Sequence, residues 1–383
     1  MGWETRPLGD VAELVNGRAY KKSELLDSGP YRVLRVGNFF TNQHWYYSDL
    51  ELPEKNYCES GDLLYAWSAS FGPRIWSGEK CIFHYHIWKV DFDETRVLRD
   101  FLFYYFEWDK DLIRMEQGAG ATMVHVSKRS MEQRAVPLPP LAEQQRIVAV
   151  LDEAFEGLAR ARAHAEANLQ NARELFEAIK SDILTEAQSV GTPVTLDDVT
   201  AIASSLVDPK EDEYADLPHL GAGNMITGSD ELIDVKTARE EKLISGKYLF
   251  KGGTVLYSKI RPYLRKAARP DFDGLCSADV YPLTPKQDRL DRDFLFHLLL
   301  ADDFTAYAIQ GSDRAGMPKV NRRHLFAYTF SLPPLDAQRR AAAKIDDAKR
   351  KCDMLLSSVQ RKLEDMEELR QSLLQKAFAG ELT

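Results

Sequence analysis

Leu138-Pro139-Pro140-Leu141 occurs twice in this chain, returning as Leu332-Pro333-Pro334-Leu335 at an offset of 194 positions. Behind the copies stand Gln144-Gln145-Arg146 and Gln338-Arg339-Arg340, and then a long helical run. With the offset held at 194, Leu175 falls on Leu369, Ile179 on Leu373 and Ile183 on Ala377. No insertion is needed from Met123/Met317 to the last residue. A fixed internal period decides the architecture before any local reading does. The chain is a tandem duplication.

The runs behind the double prolines carry long apolar seams. In the first, Val148, Leu151, Phe155, Leu158, Ala165, Leu169, Ala172, Phe176, Ile179 and Ile183 follow steps of three and four, with Arg162 intruding. In the second, Ala342, Ile345, Cys352, Leu356, Val359, Leu363, Met366, Leu373 and Ala377 do the same, with Lys349 and Arg370 intruding. A seam of this length predicts coiled-coil pairing, since a lone surface helix drifts off a 3.5-residue period. The prolines force extended backbone before each helix and are tolerated in its first turn. At 1.5 Å per residue the run from Leu141 to about Ala187 spans about 70 Å. That exceeds the needs of one compact domain, so the helices are predicted to pack antiparallel and serve as a spacer.

Length and composition set the outer bounds. The chain has 383 residues, 44% of them hydrophobic and 28% charged, which is enough to build cores in more than one domain. No apolar run approaches the 18 or so residues of a membrane span. The opening Met1-Gly2-Trp3-Glu4-Thr5-Arg6 lacks the basic-then-apolar order of a secretory signal. Cys58, Cys81, Cys276 and Cys352 show no CxxC spacing, as expected of reduced thiols in a cytoplasm. A net charge of −9 argues against nonspecific coating of nucleic acid but leaves room for a local basic face.

Each half reads as a mixed α/β module, a double proline and a long helix. Stretches 1–137 and 189–331 form the modules; 138–188 and 332–383 form the helices. Gly61-Asp62-Leu63-Leu64-Tyr65 is a turn feeding a strand, and Gly253-Thr254-Val255-Leu256-Tyr257 repeats it. Tyr31 to Phe40 reads as a strand with a turn at Val36-Gly37-Asn38, echoed by Ala222-Gly223-Asn224, and Cys81 to Val90 as one alternating strand. Asp100-Phe101-Leu102-Phe103 and Asp293-Phe294-Leu295-Phe296 open matching helices. The loops differ more than the frame. That pattern suits two modules doing one kind of work on two targets.

These features resemble the specificity subunit of type I restriction–modification systems. The resemblance rests on PLPPLAEQQRI and SLPPLDAQRRA, on the GDLL turn at Gly61 to Leu64, and on the ending Ser372-Leu373-Leu374-Gln375-Lys376-Ala377-Phe378-Ala379-Gly380-Glu381-Leu382. It covers essentially the whole chain. In such a subunit two target recognition domains each read half of a bipartite, asymmetric site in double-stranded DNA, and the helices set the gap between the halves. The resemblance implies two methylation subunits docked on the helices, with S-adenosylmethionine bound there and not here. It also implies further restriction and translocase subunits, and no catalysis in this chain.

Candidate DNA contacts follow from charge and loop chemistry. From Lys242 to Phe330 there are 15 Lys and Arg against 9 Asp and Glu. Within that stretch Lys259, Arg261, Tyr263, Arg265 and Lys266 interleave cations with an aromatic ring, as a phosphate- and base-contacting loop does. A solvated basic loop would look the same. From Met1 to Ala135 the balance is 17 against 20, and the matching loop offers Trp67, Ser68 and Arg74, which also fit core packing. The glycine-containing loops Gly118–His125 and Gly311–Lys319 add His125, Arg314 and Lys319, since glycine permits close backbone approach. Lys128, Arg129, Arg322 and Arg323 suit phosphates and equally suit surface salt bridges.

Other chemistries find little footing. His84 and His86 beside Cys81 lack zinc-ligand spacing and read as core or edge-strand residues. There is no GxxxxGK[ST] phosphate loop, no nuclease-type acidic cluster, and no Asn-Pro-Pro-aromatic motif of an amino-methyltransferase. A degenerate DNA methyltransferase and a coiled-coil scaffold that never touches DNA remain the rival readings.

Overall fold

Pro140 and Pro334 each hand over to a helix that runs unbroken for more than ten turns, Leu141–Ser189 with 49 residues and Leu335–Ala379 with 45. In both, the proline carbonyl accepts the first helical hydrogen bonds, from Glu143 and Gln144 (2.8 and 3.0 Å) and from Ala337 and Gln338 (2.9 and 3.0 Å). The structure, a computed structural model, describes residues 2–40, 43–68, 71–116, 125–202, 205–286, 288–312 and 318–382.

The chain divides into two compact units. Unit 1 comprises Met1–Glu166 with Gln360–Thr383, and unit 2 comprises Ala167–Val359. Each unit therefore takes one α/β module together with a segment of both long helices.

In unit 1 one sheet, antiparallel throughout, has the order Ala12–Asn16, Ile87–Phe92, Leu63–Ala66, Gly72–Ile75. A second has the order Tyr46–Ser48, Tyr31–Leu34, Cys81–Phe83, Tyr57–Cys58, with Tyr31–Leu34 and Cys81–Phe83 parallel. Glu4–Pro7 pairs with Ala135–Leu138. Unit 2 repeats this plan. Thr200–Ala201, Val280–Pro285, Val255–Ser258 and Ala267–Ala268 form the first sheet, and Thr192–Thr195 pairs with Thr329–Leu332. Its second sheet runs Leu206–Val207, Lys247–Phe250, Gly274–Cys276, Pro218–Leu220, Lys236–Thr237, again with one parallel pair in the same place. The duplication thus holds in strand order and direction, with Leu206–Val207 as a fifth strand at the edge of unit 2's second sheet. Gly61 and Gly253, at φ +102° and +90°, make the matching turns that a side chain would strain.

Each core takes in its module and the helix segments beside it. In unit 1, Ile147, Leu151, Leu374, Ala377 and Phe378 join Phe101, Tyr105 and Met131. In unit 2, Leu184, Ala187, Ala341, Ala342 and Ile345 join Phe294, Leu298 and Phe304. Within each unit the helix segments run antiparallel: Arg370 lies over the Phe155 ring in unit 1 while Leu374 joins Leu151 in the core. In unit 2 the Cys352 thiol reaches the Ala172 carbonyl while Ile345 packs with Ile183 and Leu184. Seam residue Ile179 is 36% exposed, because buried Lys180, Leu184 and Ala187 take over the inward face there.

Two local expectations are corrected. Tyr31 to Phe40 is a strand only to Leu34, and Val36–Phe40 is a short helix. Cys81 to Val90 is two strands, Cys81–Phe83 and Ile87–Phe92, parted by a turn in which the Ile87 N–H donates to the His84 carbonyl (2.9 Å). The turn brings the His84 and His86 rings to 5.0 Å by doubling back, with no strand face involved.

Candidate nucleic-acid interface

In both units the loop after the GDLL-type strand meets the loop before a short helix at one isolated bridge. In unit 1 Ser68 bridges His125, the Trp67 N–H donates to the His86 carbonyl (3.1 Å), and the Val126 N–H donates to the Trp67 carbonyl (3.3 Å). In unit 2 Ile260 bridges Lys319, the Lys259 N–H donates to the Asp279 carbonyl (3.0 Å), and the Val320 N–H donates to the Lys259 carbonyl (2.8 Å). Strand register agrees: Tyr65 opposes Trp88 where Tyr257 opposes Tyr281. Trp67, His86, Trp88 and His125 therefore occupy the backbone positions of Lys259, Asp279, Tyr281 and Lys319.

The chemistry at those positions differs. In unit 1 it is aromatic: Trp67 stacks on Trp88 (5.8 Å, 21°), meets His86 edge-on (4.9 Å) and lies 6.3 Å from the His125 ring. Its indole N–H donates to the Tyr85 carbonyl (2.8 Å), and Ser68 beside it is buried. In unit 2 it is ionic: Asp279 stands 2.9 Å from the Lys319 ammonium and 3.7 Å from that of Lys259. Lys259 also lies over the Tyr281 ring and donates to the Ala278 carbonyl. Burial, then the charge of Lys319, lowers the Lys259 pKa; burial opposes ionisation of Asp279, but the two ammoniums still hold it below the usual carboxylate value.

The remaining candidates divide into tethered and outward groups. Arg265 pairs with Asp302 and, at 3.5 Å, with Glu177, and Lys266 donates to the Ala222 carbonyl (2.7 Å). Arg74 donates to the Phe39 carbonyl, and Lys128 stands 3.5 Å from Glu132. Arg261 and Tyr263 face solvent, with Arg261 and Arg265 both left-handed at φ 49° and 46° flanking the turn Pro262–Leu264. Arg129, Arg322 and Arg323 are exposed, Arg322 lying over the Phe326 ring (5.3 Å). Arg314 and residues 118–124 lie outside the described residues. Sequence reasoning missed His86, Trp88, Asp279 and Tyr281 as members of the cluster. Only the repeat register, carried through the strand after the turn, could have found them.

Residues 1–164 and 192–364 match the family described as Type I restriction modification DNA specificity domain. The chain is 29% identical over 301 residues to the type I restriction enzyme EcoDI specificity subunit of Escherichia coli, covering 70% of this chain and 67% of that protein. It is 22% identical over 413 aligned positions to the EcoBI specificity subunit of the same organism, covering 100% and 86%. In fold it is similar to a solved chain of a type I R-M system (TM-score 0.78, 18% identity, 100% and 98% covered). It is also similar to the HsdS subunit from Thermoanaerobacter tengcongensis (TM-score 0.60, 18% identity, 100% and 97% covered).

Proposed function

The chain belongs to the type I restriction–modification DNA specificity family, and we propose that its two modules each read one half of a bipartite, asymmetric DNA site. The observation that carries this reading is the matched bridge: three equivalent backbone positions hold Trp67, His86 and His125 in unit 1 and Lys259, Asp279 and Lys319 in unit 2. Constant frame with changed side chains is how a duplicated reader acquires two specificities, because base edges are told apart by side chains while phosphate contacts only fix register. Arg261, Tyr263, Arg322, Arg323, Arg129 and the group at His125 supply the contacts nearest the duplex. Lys259, Arg265, Lys266, Arg74 and Lys128 act mainly by holding the loops.

The long helices set the unread gap and dock the other subunits of the complex. Leu175 and Leu369, equivalent under the repeat, are 61% and 49% exposed on those helices, and Met354 and Leu355 are 72% and 50% exposed. Apolar side chains set outward on a helix suit a partner. Two methylation subunits bearing S-adenosylmethionine dock there, restriction and translocase subunits complete the assembly, and this chain carries no catalytic step. The complex works in the cytoplasm; among the described residues no helix is long and apolar enough to cross a membrane.

The test is methylome sequencing of a host lacking its own modification genes, supplied with this chain and its cognate methylation subunit. An asymmetric two-part motif with a fixed gap is expected. Absence of methylation by a demonstrably assembled complex would overturn the reading in favour of a scaffold.

A further inference from the structure

Beside the aromatic cluster of unit 1 lies a cavity of about 240 Å3 lined by Arg35, Asn38, His44, His84 and His86. Its described lining carries no carboxylate. Arg35 lays its guanidinium over the Tyr46 ring (5.3 Å). The Asn38 amide donates to the His44 carbonyl (2.6 Å) and ties down the rim.

The lining is crowded with groups that can carry positive charge. Burial, then the neighbouring His86 and Arg35, drives the His84 pKa down to about 4, and burial with His125 and Arg35 lowers that of His86. The groups facing His84 are Arg35, His44 and His86 in the cavity, the Tyr85 ring at 4.4 Å and the Tyr20 ring stacked at 6.3 Å. Those facing His86 are Arg35, His84, His125 and the Tyr85 ring at 3.9 Å. Arg18 lies over that ring and is already neutralised by Glu24 at 2.8 Å. An oxyanion is the ligand that would pair with the Arg35 guanidinium and favour the protonated forms of His84 and His86 beside it.

The matching positions of unit 2 carry other chemistry. The parallel pair Leu34–Phe83 matches Leu220–Cys276, so Arg35, His84 and His86 correspond to Gly221, Ser277 and Asp279. There a glycine and a hydroxyl stand beside the Asp279 carboxylate, which repels an anion and already engages the Lys259 and Lys319 ammoniums.

We propose that Arg35, His84 and His86 form a socket for one backbone phosphate of the half-site read by unit 1, with no counterpart in unit 2. This rests on the reading of unit 1 as a DNA-recognition unit. Seating the phosphate favours protonated imidazole, so binding takes up protons and tightens as pH falls below the usual imidazole value towards the lowered pKa of free His84, about 4.

The test uses the full chain assembled with its methylation subunit, on duplexes carrying the site defined by methylome sequencing. A neutral methylphosphonate replaces one phosphate at a time. One position in the unit 1 half-site should weaken wild-type binding about ten-fold, as loss of a charge-assisted contact does. The same replacement should leave Arg35→Gln unaffected, and that variant should lower the salt-dependence slope by about one. Arg35 is exposed, so the variant folds; His84→Gln and His86→Gln together should abolish the gain in affinity on acidification. Wild-type affinity and salt slope in Arg35→Gln would overturn the socket. So would an effect confined to base preference at one position, which marks a base contact. If the wild-type complex modifies no bipartite site, the underlying reading fails before any variant is made.

Discussion

Gln144 and Gln338, 194 positions apart, make the same three hydrogen bonds with fully buried carboxamides. The Gln144 oxygen accepts from the Leu98 N–H (2.9 Å), and its amide donates to the Arg96 and Pro139 carbonyls (2.8 and 2.9 Å). The Gln338 oxygen accepts from the Asp291 N–H (2.8 Å), and its amide donates to the Arg289 and Pro333 carbonyls (2.9 and 2.7 Å). Each glutamine therefore clamps the start of a long helix to the loop that opens a module helix.

Replacing either clamp by leucine keeps the volume and leaves buried backbone groups without partners. Each orphaned group costs about 1–3 kcal/mol. A loss of about 3 kcal/mol corresponds to roughly 6–12 °C for a unit of this size. Gln144→Leu should speed amide hydrogen exchange in unit 1 and Gln338→Leu in unit 2. Equal protection in both variants and the wild type would show that the clamps contribute nothing.

The duplication and the extent of both long helices were legible because they depend on period and on proline, which act locally, whereas the order of strands within each sheet was not. The ends of the seam were less so: Ile179 keeps the heptad spacing yet turns outward, since the module packed on that segment claims Lys180 and Leu184. The loop Lys259–Lys266 shows the same limit. Its cations were visible in the sequence, but the partners that tether Lys259, Arg265 and Lys266 come from Asp279, Asp302 and Ala222, which only tertiary folding delivers.

Asp346 joins the second long helix to the module of unit 2. Its carboxylate takes Arg269 (2.7 Å) and His297 (2.9 Å). Burial resists ionisation there, but the hydrogen bonds from His297 and Arg269 prevail and hold the carboxyl well below its usual 3.8. A depressed carboxyl contributes stability that is complete above the unfolded-state pKa and is lost as pH falls through the folded-state value. The denaturation midpoint of unit 2 should therefore drop as pH falls below about 4. Asp346→Asn should be less stable at pH 7 and show a flatter acid limb. Parallel acid limbs in variant and wild type would contradict this.

Asp279 restrains two lysines with one carboxylate. Asp279→Asn removes the charge while keeping the shape, and frees Lys319 to reach phosphate while Lys259 stays on the Ala278 carbonyl. Affinity for nonspecific duplex should rise and the salt slope steepen by about one, in keeping with one added phosphate contact. The methylome motif should change or relax in the half read by unit 2 and stay intact in the other. An unchanged motif together with an unchanged salt slope would place Asp279 outside the interface.

Leu175 and Leu369 are the outward residues that the repeat itself pairs, and the proposed docking of two methylation subunits assigns one to each. Neither is in a core, and a substitution at such a site changes folding stability by no more than about 0.5 kcal/mol. Leu175→Glu and Leu369→Glu should each weaken the attachment of one methylation subunit, because a carboxylate carried into an apolar interface must be desolvated without a partner. Sedimentation of the assembled complex should show a species short of one subunit for either variant and the free chain for the double variant, with the melting temperature unmoved. Methylation should fail in proportion, while crosslinking of the chain itself to target duplex persists. Full-mass complexes in all three variants would remove the helices' outer face as the docking surface and leave Met354 and Leu355 as the next positions to change.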